Sequence, residues 1–98
     1  MGKSNFDKLK LARKYLSNPK HWGKGSFLVS CPTISYEDIV KHRKEHIKNE
    51  ARVCALGACA LFNIKIDDAT TLLTLGNITI DKKYNYPIFQ FKIGRAHV

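Results

Sequence analysis

The segment over residues 53–61, Val-Cys-Ala-Leu-Gly-Ala-Cys-Ala-Leu, limits the possible fold more than any other part of the chain. Its small residues are Ala55, Gly57, Ala58 and Ala60. They make every face of a helix over this segment small, and small residues let another stretch of backbone approach closely. We therefore predict a buried central helix over residues 53–61.

An amphipathic helix is predicted over residues 5–17. Ser4 is placed to cap its start, and Asp7 sets a negative charge against the positive end of the helix dipole. Apolar residues recur at helical spacing after this cap, with basic residues between them, which is typical of a helix with one face on the core. Asn18 followed by Pro19 ends it.

A longer helical region is predicted over residues 36–62, with Ser35 as its cap and Asp38 in its first turn. An apolar stripe continues through it at steps of three, four and seven residues. Residues 41–46 are wholly polar and could project into solvent. The pattern therefore allows either one long helix or two helices joined near residues 48–50.

The last part of the chain is predicted to hold a third helix and a hairpin. Asp67 or Asp68 caps a helix over residues 68–75, which Gly76 ends in a left-handed conformation. Alternating residues around a polar turn predict a β-hairpin over residues 78–91, with Pro87 in an edge strand. The expected fold class is α+β: a small, mainly helical single domain over residues 1–92 with a C-terminal β-hairpin.

The final six residues, 93–98, resemble one reading frame of a common sequencing adapter. This resemblance implies a non-native tail and a natural chain that continues beyond about residue 92. Without Arg95 the formal charge would fall from +9 to +8.

The positive charge is concentrated in two segments. Seven basic residues against one acidic residue give residues 1–24 a charge of +6, and five against two give residues 41–52 a charge of +3. Such segments favour phosphate backbones, and Tyr15, His21 and Trp22 could stack on bases. The candidate nucleic-acid-binding residues are Lys8, Lys10, Arg13, Lys14, Lys20, Lys24, Lys41, Arg43, Lys44 and Lys48.

Two other interpretations of the charge stay open. The basic helix faces could bind an acidic protein, or they could serve only to keep the protein in solution. Charge alone does not separate these interpretations from nucleic-acid binding.

The string His42-Arg43-Lys44-Glu45-His46 matches the H-x-x-E-H pattern of some zinc hydrolases. On a helix, His42 and His46 would share one face and Glu45 could act as a base. A catalytic zinc site needs a third protein ligand, and the flanking basic residues oppose a dication. We therefore expect a solvated helix face, no metal and no cofactor, and keep a zinc-dependent hydrolase as a minor alternative.

The three cysteines, Cys31, Cys54 and Cys59, do not have the spacing of a structural zinc site. Their odd number fits a reducing compartment. A catalytic cysteine with a histidine base stays open, but Cys54 falls on the apolar stripe and is expected to be buried in the core.

Residues 11–25 and 52–58 together carry an amphipathic helix, a Trp-x-x-Gly turn and a Cys-Ala-Leu-Gly-Ala helix. This combination resembles a family of small uncharacterised proteins of phages, plasmids and bacterial genomes, which has no established activity. In such a protein Trp22 is expected to anchor the core and Gly25 to form a tight turn. Cys54 and Gly57 are expected where a helix packs closely against its neighbour.

The resemblance and the charge together predict a non-enzymatic accessory protein of a phage or mobile element that acts by binding. DNA, RNA or an acidic protein is the expected partner. The chain has no run of 18 apolar residues and no apolar segment at its start, so we expect no membrane association and a cytoplasmic location.

Overall fold

The computed structural model describes residues 4–81, 83 and 86–89. Five α-helices precede a hairpin of two strands in this part of the chain, and a short 3₁₀ turn (Pro19–His21) follows the first helix. The elements are α1 (Asn5–Leu16), α2 (Tyr36–Lys41), α3 (Arg43–Lys48), α4 (Ala55–Leu61), α5 (Ile66–Thr74), β1 (Ile78–Asp81) and β2 (Tyr86–Phe89). The predicted fold class, a mainly helical α+β protein with a C-terminal hairpin, is confirmed.

Helix α4 is the centre of the fold, as the small residues predict. Helices α1, α2, α3 and α5 all pack against it, and six of its seven residues are buried. A Cβ added to Gly57 would clash with the carbonyl oxygen of Phe27, so only glycine lets this backbone come so close. The predicted close packing at Gly57 is confirmed.

Two of the predicted helix starts are confirmed by their capping bonds. The backbone N–H of Asp7 donates to the hydroxyl of Ser4 at 3.2 Å, and that of Asp38 donates to Ser35 at 3.1 Å. Asn63 and Gly76 follow α4 and α5 with positive φ angles of 61° and 80°, as expected of residues that end helices in the left-handed region.

The predicted start of α5 is wrong. The helix begins at Ile66, and the capping position is occupied by Lys65, which forms no side-chain capping bond. Asp67 and Asp68 lie inside the first turn, where their charges face the positive end of the helix dipole without capping it.

The region over residues 36–62 is three helices, so the single-helix alternative is wrong, and the two-helix alternative missed the break at His42. The chain breaks at His42 and again between α3 and α4, near the predicted joint, where Glu50 has a φ of 54°. Val53 is extended and fully buried, and it pairs with Trp22 on one side and Leu28 on the other. The predicted central helix therefore does not begin at Val53, because this residue pairs with two distant segments instead.

Cys54 is the N-cap of α4, so its predicted place in the buried apolar stripe is wrong. Its sulfur accepts the backbone N–H of Gly57 at 3.4 Å, and its side chain is half-buried. Trp22 is half-buried and packs against the core, as expected, and Gly25 has a φ of 100° in its turn.

The hairpin is antiparallel, with Ile78 opposite Phe89 and Asp81 opposite Tyr86. Strand β1 packs on α5 and β2 on α1, so the hairpin closes the side of the domain next to these helices. Residues 90–91 of the predicted hairpin and the predicted tail over residues 93–98 lie outside the described residues.

Candidate nucleic-acid interface

The two basic segments of the sequence meet in the structure. The hydroxyl of Tyr15 donates to the carbonyl of Ala51 at 2.6 Å, which joins the last turn of α1 to the segment that follows α3. The Nε of Arg52 donates to the carbonyl of Lys20 at 3.2 Å. We call this region, residues 13–23 and 48–53, the basic junction. It contains five basic residues and one carboxylate.

Backbone hydrogen bonds hold the two halves of the basic junction together. The N–H of Val53 donates to the carbonyl of His21 at 2.8 Å, and the N–H of Gly23 donates to the carbonyl of Val53 at 2.9 Å. Side-chain packing adds to them, because Arg52 and Val29 fill the space beside Gly23 that a Cβ would need. The exposed charged side chains of the junction therefore extend from backbone segments that are held in place by hydrogen bonds and packing.

The basic side chains of the junction are exposed. They are Arg13, Lys14, Lys20, Lys48 and Arg52. Among residues 4–81, 83 and 86–89, no carboxylate lies within ion-pair distance of Lys14, Lys20 or Lys48. Their ammonium groups are available to an anionic partner.

The single carboxylate of the junction, Glu50, is held by a histidine. Its Oε1 lies 3.3 Å from Nε2 of His21, whose Nδ1 lies 2.7 Å from the carbonyl of Tyr15. Because a carbonyl only accepts, Nδ1 carries a proton, and Nε2 donates to Glu50 when the ring is doubly protonated. The Glu50 side chain is 70% exposed, so it lowers the positive potential of this surface.

Two of the three rings expected to stack on bases do not have that role. Tyr15 is buried and stacks on His21 with ring centroids 4.0 Å apart, and the His21 side chain is only 12% exposed. Burial, and after it the charge of Glu50, raises the pKa of Tyr15 to about 12, so its phenol stays a neutral hydrogen-bond donor. Trp22 is the ring of the three that lines an open cavity.

The remaining predicted binding residues divide into two groups. The side chains of Lys10, Lys24, Lys41 and Lys44 are exposed. Lys8 and Arg43 are half-buried and donate to the carbonyls of Asn63 and Val40, at 3.0 and 2.9 Å. Lys8 and Arg43 thus each use a donor within the fold, on carbonyls near the ends of α4 and α2.

Arg52 belongs to the junction but was not among the predicted binding residues. In the sequence its charge is part of residues 41–52, and no pattern there assigns it a separate role. Its contact with Lys20 spans 32 positions in the chain, and no local pattern predicts a contact at that distance.

The H-x-x-E-H string does not form a metal site in the described residues. His42 is exposed at the break between α2 and α3, whereas Nε2 of His46 is buried without a hydrogen-bond partner. Residues 4–81, 83 and 86–89 contain no group of three His, Cys, Asp or Glu side chains that could hold a metal ion. The zinc-hydrolase alternative therefore has no third ligand in this part of the chain.

The three cysteines are free, and they differ in exposure. Cys31 is exposed, Cys54 caps α4, and Cys59 is fully buried in the core. Burial, with a smaller effect of Cys54, raises the pKa of the Cys59 thiol to about 12. Cys59 is therefore a packing residue and not a nucleophile at neutral pH.

Comparison with protein-family models, curated proteins and solved structures finds no match for this chain. Within the part of the chain that the structure describes, none of the helices is both long and apolar enough to cross a membrane.

Proposed function

We propose that this protein binds nucleic acid through the basic junction. The observation that carries the proposal is the hydrogen bond between Arg52 and the carbonyl of Lys20, which joins the two basic segments. Lys and Arg side chains on a fixed support are the groups that bind phosphate oxygens in most protein–nucleic acid contacts.

The contacts at the junction favour binding without base recognition. Lys14, Lys20 and Lys48 present ammonium groups, which bind phosphates as point charges. Arg52 uses its Nε–H within the fold, which leaves the terminal nitrogens of its guanidinium to face a phosphate. Binding through these groups releases counterions and therefore weakens steeply with salt.

Glu50 modulates this binding in the proposal. It is the one carboxylate among residues 13–23 and 48–53, and it repels a phosphate that approaches there.

The biological role that we propose is that of a non-enzymatic accessory protein of a phage or mobile element. It is supported by the resemblance of residues 11–25 and 52–58 to small proteins of that origin. A cytoplasmic location is part of the proposal, because the exposed thiol of Cys31 is free, as is usual in a reducing compartment.

A gel-shift titration tests the proposed function. A 20-nucleotide single-stranded DNA, the same sequence as RNA, and the DNA duplex are each titrated with protein at 50, 100 and 200 mM salt. We expect retarded bands at 50 mM salt that weaken by roughly tenfold or more at 200 mM, as for about three phosphate contacts. Unchanged mobility of all three nucleic acids at 50 mM salt would contradict the proposal.

An acidic protein is the alternative partner, because the same ammonium groups would bind carboxylates. Competition with polyglutamate of the same number of charges as the oligonucleotide distinguishes the two partners. A nucleic-acid-binding protein is released by polyglutamate only at large excess. Displacement by an equal concentration would favour the acidic protein.

A further inference from the structure

A small cavity opens beside the basic junction, between the Trp22 turn, the start of α4 and the end of α5. Its volume is about 180 Å³. Its walls are formed by Trp22, Lys24, Cys54, Ala55, Leu56 and Leu73. These walls are mainly apolar, and Leu73 is 39% exposed although it is a large aliphatic residue.

The walls of the cavity are fixed by bonds that the fold makes elsewhere. The N–H of Trp22 donates to the carbonyl of Pro19 at 3.3 Å, and its backbone pairs with Val53. Cys54 is held by its capping bond to Gly57. The cavity and the junction are therefore held in place by the same set of backbone contacts.

We propose that this cavity receives one unpaired base of a nucleic-acid strand whose phosphates lie on the basic junction. This inference rests on the proposed function and adds to it a preference for single strands. A base inserted here would stack between an indole ring and aliphatic side chains, the arrangement in which extruded bases are commonly held.

The positions of the charges favour a base over an apolar side chain of a protein. Lys20 and Lys24 are both exposed and stand on either side of Trp22 along the chain. A base in a strand is likewise flanked by a phosphate on each side, so the two lysines suit a strand that passes across Trp22. An apolar protein side chain has no such pair of flanking charges.

The chemistry of the walls also predicts little base preference. Among the described residues that line the cavity, none has a carboxylate, amide or hydroxyl that could read the hydrogen-bonding edge of a base. A paired base cannot enter, because its faces are covered by its neighbours in the duplex. The cavity thus favours single strands over duplexes and does not distinguish one base sequence from another.

The fluorescence of Trp22 tests the inference directly, because it is the only tryptophan in the chain. Emission is followed while oligo-dT, oligo-dA and a mixed-sequence duplex are added at low salt. We expect quenching by both single strands, with affinities within about threefold of each other, and at least fivefold weaker binding of the duplex.

A matched pair of variants at the end of α5 separates the cavity from the rest of the surface. Leu73→Ala removes one wall and should weaken single-strand binding about fivefold or more without changing duplex binding. Leu75→Ala is the control, since Leu75 is 50% exposed on the same helix end but is not among the walls. It should change neither affinity.

Two results would overturn the inference in different ways. Oligonucleotide binding with unchanged Trp22 emission and an unaffected Leu73→Ala variant would reject the base pocket and leave the proposed function intact. Quenching by an acetylated Glu-Glu-Leu-Glu-Glu peptide, with no shift by any oligonucleotide, would reject both and assign the cavity to an acidic protein.

Discussion

The phenol of Tyr15 donates a hydrogen bond to the backbone carbonyl of Ala51, 2.6 Å away and 36 residues later in the chain. The bond links the end of α1 to the segment between α3 and α4. The geometry of the basic junction therefore depends on a buried phenol.

Removal of this hydroxyl should weaken both the fold and the proposed interface. Tyr15→Phe keeps the ring but leaves the Ala51 carbonyl without its donor, which should lower the free energy of unfolding by about 1–2 kcal/mol. Urea unfolding followed by circular dichroism measures this loss. Tyr36→Phe is the control, because it removes a similar 2.6 Å bond to the carbonyl of Ile64, outside the junction. Both variants should be destabilised, and only Tyr15→Phe should bind oligonucleotides more weakly; equal effects on binding would contradict the role of Tyr15.

Stability should fall in alkaline solution. Burial raises the pKa of Tyr15 from 10.0 to about 12, and it raises the pKa of Tyr36 further. The folded state thus favours neutral phenols, so this contribution is fully present below pH 10 and is lost as the pH rises from 10 towards 12. Urea unfolding at pH 8, 10 and 11 should show the loss, which for Tyr15 is about 1 kcal/mol at pH 11. Tyr15→Phe should show a smaller decrease; an identical pH dependence in this variant would be evidence against the assignment.

Gly57 should tolerate no side chain. Gly57→Ala places a methyl group against the carbonyl oxygen of Phe27, which cannot move aside as a flexible side chain would. We expect the free energy of unfolding to fall by about 3 kcal/mol. Gly25→Ala is a useful comparison, because an added Cβ there meets nothing within 4 Å and only the positive φ of 100° opposes it. A loss in Gly57→Ala no larger than in Gly25→Ala would contradict the close approach.

The three thiols should react at different rates. Cys31 is exposed and should react with Ellman's reagent within the first phase at pH 8. Cys59 is buried with its pKa raised to about 12, so it should react only when urea unfolds the protein. Cys31→Ser should abolish the fast phase. Fast reaction of Cys59 in the native protein would contradict its place in the core.

Local signals allowed much of the fold to be predicted from the sequence. The caps at Ser4 and Ser35 act over three residues, and the end of α5 at Gly76 needs only a residue that accepts a positive φ. The small residues around Gly57 predicted a close backbone approach without naming the partner. Each of these features is determined within a few positions of the chain.

The junction and the cavity depend on long-range contacts, which the sequence pattern did not predict. Residues 49–54 leave the helical pattern because Val53 gains pairing partners in Trp22 and Leu28. The contact of Arg52 with Lys20 follows from that pairing, and Trp22 lines one cavity with Leu73 from a distant part of the chain. The helical spacing of apolar residues that includes Ala51 and Cys54 does not indicate any of these long-range contacts.

The most direct test of the account is the salt dependence of single-strand binding in two charge-matched double variants. Lys14→Gln with Lys20→Gln removes two charges from the junction, and Lys65→Gln with Lys83→Gln removes two exposed charges elsewhere; each pair lowers the net charge from +9 to +7. We predict that the slope of log K against log salt becomes shallower by about 1 to 2 for the junction pair and changes little for the other pair. Equal changes in both pairs, or no measurable binding by the unaltered protein, would contradict the account.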